Sequence, residues 1–168
     1  MNPGKIEVAA NSGVYVIKLS GDVRLNMCSA LEQYLDQMFV DEAFKTVLID
    51  LSDAEGVDST TLGQLAKISI ISQQKFNLIP SIITPRLDIT RILLSMGFDK
   101  VFYLLSDQSE ELGELNELVC SQTSECEDEV REKVIEAHEI LMSLNEDNKN
   151  TFQELVDCLQ DKNNNPRG

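Results

Sequence analysis

The stretch that most constrains this chain is Val47-Leu48-Ile49-Asp50-Leu51, followed by Gly56-Val57-Asp58-Ser59-Thr60-Thr61-Leu62-Gly63. The first part is a short apolar, β-branched run with the pattern of a buried strand. The second sets Asp-Ser-Thr-Thr directly before a long periodic run, which is how a helix N-terminus reads. A strand delivered to a helix start by a short loop leaves backbone N–H groups pointing outward. Such a place favours negative charge, a phosphate included. Ser59 is therefore the leading candidate for function. The plainer alternative at this point is that Asp58-Ser59-Thr60-Thr61 is simply a good helix cap.

The rest of the chain falls into place around that unit. Lys5 to Ala9 and Val14 to Leu19 alternate as strands, and Asn11-Ser12-Gly13 between them is a turn signal, so the pair reads as a hairpin ending at Gly21-Asp22-Val23-Arg24. Asn26 can cap a helix carrying Met27, Leu31, Tyr34, Leu35, Met38 and Phe39 on one stripe, closed by Asp41-Glu42. Strand, helix and then the Thr46–Leu51 strand imply a right-handed crossover and a parallel pairing. The helix from Ser59 runs to about Lys75, with Leu62, Leu65, Ala66 and Phe76 on its core face. Ile68, Ile70 and Ile71 lie off that stripe, which means either burial on two sides or a protein-binding surface.

A strand over Leu78–Ile83 follows, with Pro80 marking an edge, a bulge or a strand start. A short helix from Asp88 carries Ile89, Ile92, Leu93 and Met96, and Gly97 is placed to end it. Val101–Leu105 reads as the last strand, and Ser106-Asp107 as the start of a helix with Leu112, Leu115 and Val119. The order β-β-α-β-α-β-α-β-α calls for an α/β fold, a mixed sheet covered by helices.

From Glu125 the composition turns acidic. Val130, Val134, Ala137, Leu141 and Leu144 step by four and three, and Phe152, Leu155, Val156 and Leu159 form a second stripe after Asn145-Glu146-Asp147-Asn148. Capping boxes at Ser124/Glu127 and Thr151/Glu154 complete an expected αα-hairpin, with a frayed end from Asn163. The domains expected are thus 1–120 and 121–168. Two heptads are too short to stand alone, so the hairpin has to dock on its own domain, on a second subunit or on a partner.

A net charge of −15 argues against nucleic acid and anionic membrane surfaces as partners. The first residues lack a signal-peptide h-region, and no apolar run reaches membrane-spanning length, so a cytoplasmic protein is expected. Cys28, Cys120, Cys126 and Cys158 form no Cys-x-x-Cys pair, and with one histidine in the chain neither a metal site nor a cofactor is expected. Catalysis is not expected either. A serine hydrolase needs a nucleophile elbow and a partner histidine, while His138 falls on the tail helix and reads as a surface or flank residue. No Walker loop or Gly-x-Gly-x-x-Gly occurs.

The segment Val47–Leu51 through Asp58-Ser59-Thr60-Thr61-Leu62-Gly63 resembles the signature of the STAS domain (sulphate transporter and anti-sigma factor antagonist), and more narrowly the soluble bacterial anti-sigma factor antagonists. The resemblance covers roughly the first 120 residues. It implies the STAS fold and places the serine that a cognate kinase phosphorylates at Ser59. The family usually has Gly where this chain has Thr61, and an acid where it has Arg24. Asp22, Arg24, Asp58, Thr60, Thr61 and Gly63 are then the implied partner-binding residues. An arginine at 24 would suit a phosphate, or be an ordinary surface residue. The implied partners are an anti-sigma factor or serine kinase and a PP2C-type phosphatase, with a homodimer also open. The rival expectation is a constitutive scaffold that oligomerises through the domain or its tail, with Ser59 only a cap.

Overall fold

The computed structural model describes residues 3–23, 29–106, 114–119 and 127–164. Arg24, Asn26, Met27, Leu112, the Ser124 cap and the final Asn165–Gly168 lie outside the described residues, as do Cys28, Cys120 and Cys126.

The hairpin at the start forms as expected. Strands β1 (Lys5–Asn11) and β2 (Val14–Val23) pair antiparallel across the two residues Ser12 and Gly13. Both have positive φ, 52° and 86°, which is the combination a two-residue turn needs to match strand twist. Helix α1 (Ser29–Phe39) then leads to β3 (Thr46–Asp50), which lies parallel to β2. Asp50 ends β3 by accepting from the Ser52 N–H at 2.9 Å and the Ser52 hydroxyl at 2.5 Å. That side-chain turn diverts the backbone from the ladder.

Next come β4 (Ala54–Val57), α2 (Ser59–Phe76), β5 (Ser81–Ile83) and α3 (Leu87–Ser95). Pro80 turns out to mark a strand start, with its carbonyl accepting from Tyr103. Gly97, at φ 82°, lies just beyond the end of α3, as expected. A single 3-10 turn, Phe98–Lys100, shortens the anticipated strand to β6 (Tyr103–Leu105). The sheet order is β6-β5-β3-β2-β1-β7, where β7 is Asn116–Leu118, and β4 pairs with the far end of β2. The mixed sheet is that of the expected α/β fold. Its core joins Ile17, Leu19, Val47, Ile49, Leu51, Leu62, Leu65 and Ile82 with the inner faces of the helices.

Two elements differ from expectation. Strand β4 occupies a segment read as loop. After β6, residues 107–113 lie outside the described part, and Asn116–Leu118 is not helix but strand β7, antiparallel to β1 with Ile6 opposite Leu118. An edge such as β1 leaves backbone groups unpaired, and a short added strand satisfies them.

The tail is the expected αα-hairpin, α4 (Glu127–Met142) and α5 (Glu146–Asn164). The second helix starts earlier than the Thr151 cap, because Asn145 accepts from the Asn148 N–H at 2.7 Å and caps it there. Of the three docking options the first holds. Helix α4 packs along α2, and Leu141 and Phe152 belong to the main core. Asn148, buried, ties the hairpin down by donating to Met96 O at 2.8 Å and Leu141 O at 2.9 Å.

Candidate functional site

The site is the start of α2. Asp58 is its N-cap in extended conformation, and Asp58 Oδ1 accepts from the Thr61 N–H at 2.7 Å. The Asp58 carbonyl accepts from the Leu62 N–H at 3.0 Å. Ser59 is thus the first residue of the helix rather than the cap, and its hydroxyl is not engaged in capping. The loop before β4 is held by Lys18, which pairs with Asp53 at 2.8 Å. The hydrogen bond to Asp53 is the main reason the Lys18 ammonium titrates above its ordinary value, against a smaller opposing effect of burial.

The Ser59 hydroxyl meets His138. The Ser59 Oγ to His138 Nε2 distance is 2.8 Å, and His138 Nδ1 stands 2.7 Å from the Val134 carbonyl. A carbonyl only accepts, so Nδ1 carries the proton, and in the neutral ring Nε2 accepts from the serine hydroxyl. His138 is 2% exposed and packs edge-on against Phe152 at a 5.0 Å centroid distance. The expectation of a surface histidine is therefore corrected. The two-partner burial of α4, between α2 and α5, carries the ring inward.

One turn along α2, Gly63 lies against the backbone of Ala137. A Cβ built at Gly63 would fall 2.6 Å from Ala137 Cα and closer still to its carbonyl oxygen. Only a glycine lets the two helices approach so near. A further turn on, Lys67 pairs with Glu136, and from the other side Lys133 of α4 pairs with Glu32 of α1 at 3.1 Å.

The remaining residues of the expected contact surface divide. Asp22 and Asp58 are half-buried, and Gly56 sits beside the Asp22 carboxylate. Thr60 and Gly63 are buried. Thr61, fully buried, donates its hydroxyl to the Val23 carbonyl at 3.2 Å, so it ties α2 to β2 and does not face outward. Arg24 lies outside the described residues. Sequence reasoning missed His138, Ala137 and Glu136 as members of this site. The available signal was His138 one turn after Val134, on the flank of the tail's apolar seam.

Ile68 is buried, while Ile70 and Ile71 are half-buried. Ile68 belongs to the main core and Ile71 packs against it, so for these two the residues off the main stripe are buried ones. Phe76, expected in the core, is partly exposed and packs on Phe44 at 4.5 Å. Among the described residues no helix is long and apolar enough to cross a membrane.

Residues 6–106 match the protein-family model described as "Mlab, STAS domain". No curated protein matched the chain.

Proposed function

The chain belongs to the STAS-domain family, and from that premise we propose that it is a cytoplasmic anti-sigma factor antagonist working by partner switching. In this reading the unphosphorylated form binds an anti-sigma factor or serine kinase through the start of α2. Phosphorylation of Ser59 by such a kinase breaks the complex, and a PP2C-type phosphatase restores it. The observation that carries the reading is the placement of Ser59 as first residue of an Asp58-capped helix, with its hydroxyl free of the cap. A serine in that place can take a phosphate without loss of the helix start. The phosphate adds roughly −1.5 to −2 charges beside Asp58. Across a closed interface that charge stays unpaired, and about 2.7 kcal/mol of lost affinity weakens binding a hundredfold.

The Ser59–His138 pair invites comparison with a hydrolase dyad, but the binding reading is favoured. The other ring nitrogen is bound to the carbonyl of its own helix, where a hydrolase dyad is oriented by a carboxylate or amide side chain. The docked hairpin also counts against a tail-built scaffold, since its apolar side is covered by its own domain.

The test is phosphosite mass spectrometry on the protein recovered from its own cells under two growth conditions, with binding of Ser59→Ala and Ser59→Asp variants to the captured partner. Changing occupancy at Ser59, and a loss of binding of a hundredfold or more confined to Ser59→Asp, are expected. An unmodified serine in every condition, or equal binding by both variants, would sink the proposal.

A further inference from the structure

Three contacts on successive turns of α2 are made by one helix of the tail. Ser59 meets His138, Gly63 meets Ala137, and Lys67 meets Glu136. We infer that α4 is a built-in occupant of the Ser59 surface, and that the docked hairpin excludes both a phosphate on Ser59 and another protein at that surface. The inference rests on the reading of Ser59 as the phosphorylated residue and adds to it a control by the chain's own tail.

The exclusion follows from geometry. At 2.8 Å between Oγ and Nε2 there is no space for a phosphoryl group. Esterifying the oxygen also removes the hydroxyl proton, so the Ser59–His138 hydrogen bond as it stands is lost. The ring has nowhere to retreat, with Phe152 against it and Nδ1 bound to Val134. Nor can α4 slide inward, because its backbone already touches Gly63. The hairpin therefore has to leave α2 for the modified state to form.

The same contacts describe what can replace α4. The chemistry that fits is a helix with a small residue over Gly63, a hydrogen-bond acceptor or donor at Ser59, and an acid toward Lys67. A partner helix of this kind competes with α4 for one surface, so its apparent affinity is reduced by the fraction of hairpin that is docked.

The test uses the full chain with phosphoserine installed at position 59 during synthesis, compared with the unmodified chain by hydrogen-exchange mass spectrometry. Because the modification is installed directly, the outcome does not depend on whether a cellular kinase exists, and a failure here is separable from a failure of the switch in cells. Phosphoserine is expected to raise exchange across residues 134–141 by tenfold or more, while β3 and β5, less stable without the docked helix, remain protected. A Gly63→Ala variant, which pushes on Ala137 without adding charge, is expected to do the same. Protection of α4 that persists with phosphoserine would overturn the inference, since the hairpin would then be accommodating the phosphate. Loss of protection through β3 and β5 as well would also overturn it, because the effect would not be release of one element.

Discussion

Tyr15 and Asp41 show how a single contact sets a pH dependence. The Tyr15 hydroxyl donates to Asp41, which with the Ala43 N–H holds the Asp41 carboxyl below its ordinary 3.8. The same bond, with burial second, pushes the Tyr15 phenol up to about 12 from 10.0. A depressed carboxyl contributes stability above its unfolded value and loses it as pH falls through the folded one. A raised phenol contributes below pH 10 and loses it as pH rises through about 12. Tyr15→Phe removes both. The stability difference between wild type and this variant, from urea midpoints across pH, is expected to be flat in between and to shrink at both ends. A difference that stays constant into strong acid and alkali would mean that the bond does not form. Residues of the candidate site behave in the same local way. Gly63 matters for the absent Cβ, and Thr61 for a hydroxyl turned to Val23. Neither role is visible in a single sequence, because both depend on which backbone lies opposite.

Among elements, α2 was the most legible and repays the closest test. Its cap, its start at Ser59 and its end near Lys75 follow from Asp58, the apolar period and the Asn77 that closes it in left-handed conformation at φ 51°. Asp58→Ala removes the acceptor for the Thr61 N–H, and the expected loss is about 0.5–2 kcal/mol, with Asp58→Asn restoring most of it. Urea unfolding of the three proteins measures this, and equal midpoints would show that the cap is not formed. The elements that escaped the sequence are those without a period of their own. Strand β4 is Ala54-Glu55-Gly56-Val57, too short and too mixed to alternate, and it exists because β2 runs beyond β3 and offers its last three residues. Strand β7 is likewise made by the open edge of β1. The tail seam of Val130, Val134, Ala137 and Leu141 predicted one partner helix. The buried set Ile135, Ala137, His138 and Leu141 is wider, because α4 lies between α2 and α5. A seam read for one neighbour placed His138 on the outside.

At the scale of the whole molecule, the question is whether hairpin and sheet form one cooperative unit. Neither tail helix offers a core of its own size, and helices of this length are marginal in water without packing. Their apolar side is instead continuous with the domain, since Leu141 and Phe152 join the same cluster as Leu62 and Phe98. Asn148 bridges Met96 of the domain to Leu141 of α4, so the two parts share buried hydrogen bonds as well. Leu141 is fully buried, so Leu141→Ala removes apolar contacts and leaves a cavity, at a cost of about 2–5 kcal/mol. If the hairpin is part of the native unit, that loss appears in the unfolding of the entire chain. The urea midpoint falls, the slope with denaturant is unchanged, and sheet and helix signals move together. If the hairpin were only a passenger, the variant would separate the transition into two, with the β-sheet midpoint staying where it was. The first outcome is expected for the unmodified protein, because docking of α4 then contributes to the stability of the sheet it covers. It also sets the size of the proposed switch, since whatever displaces α4 from Ser59 has to supply at least the stability that docking gives.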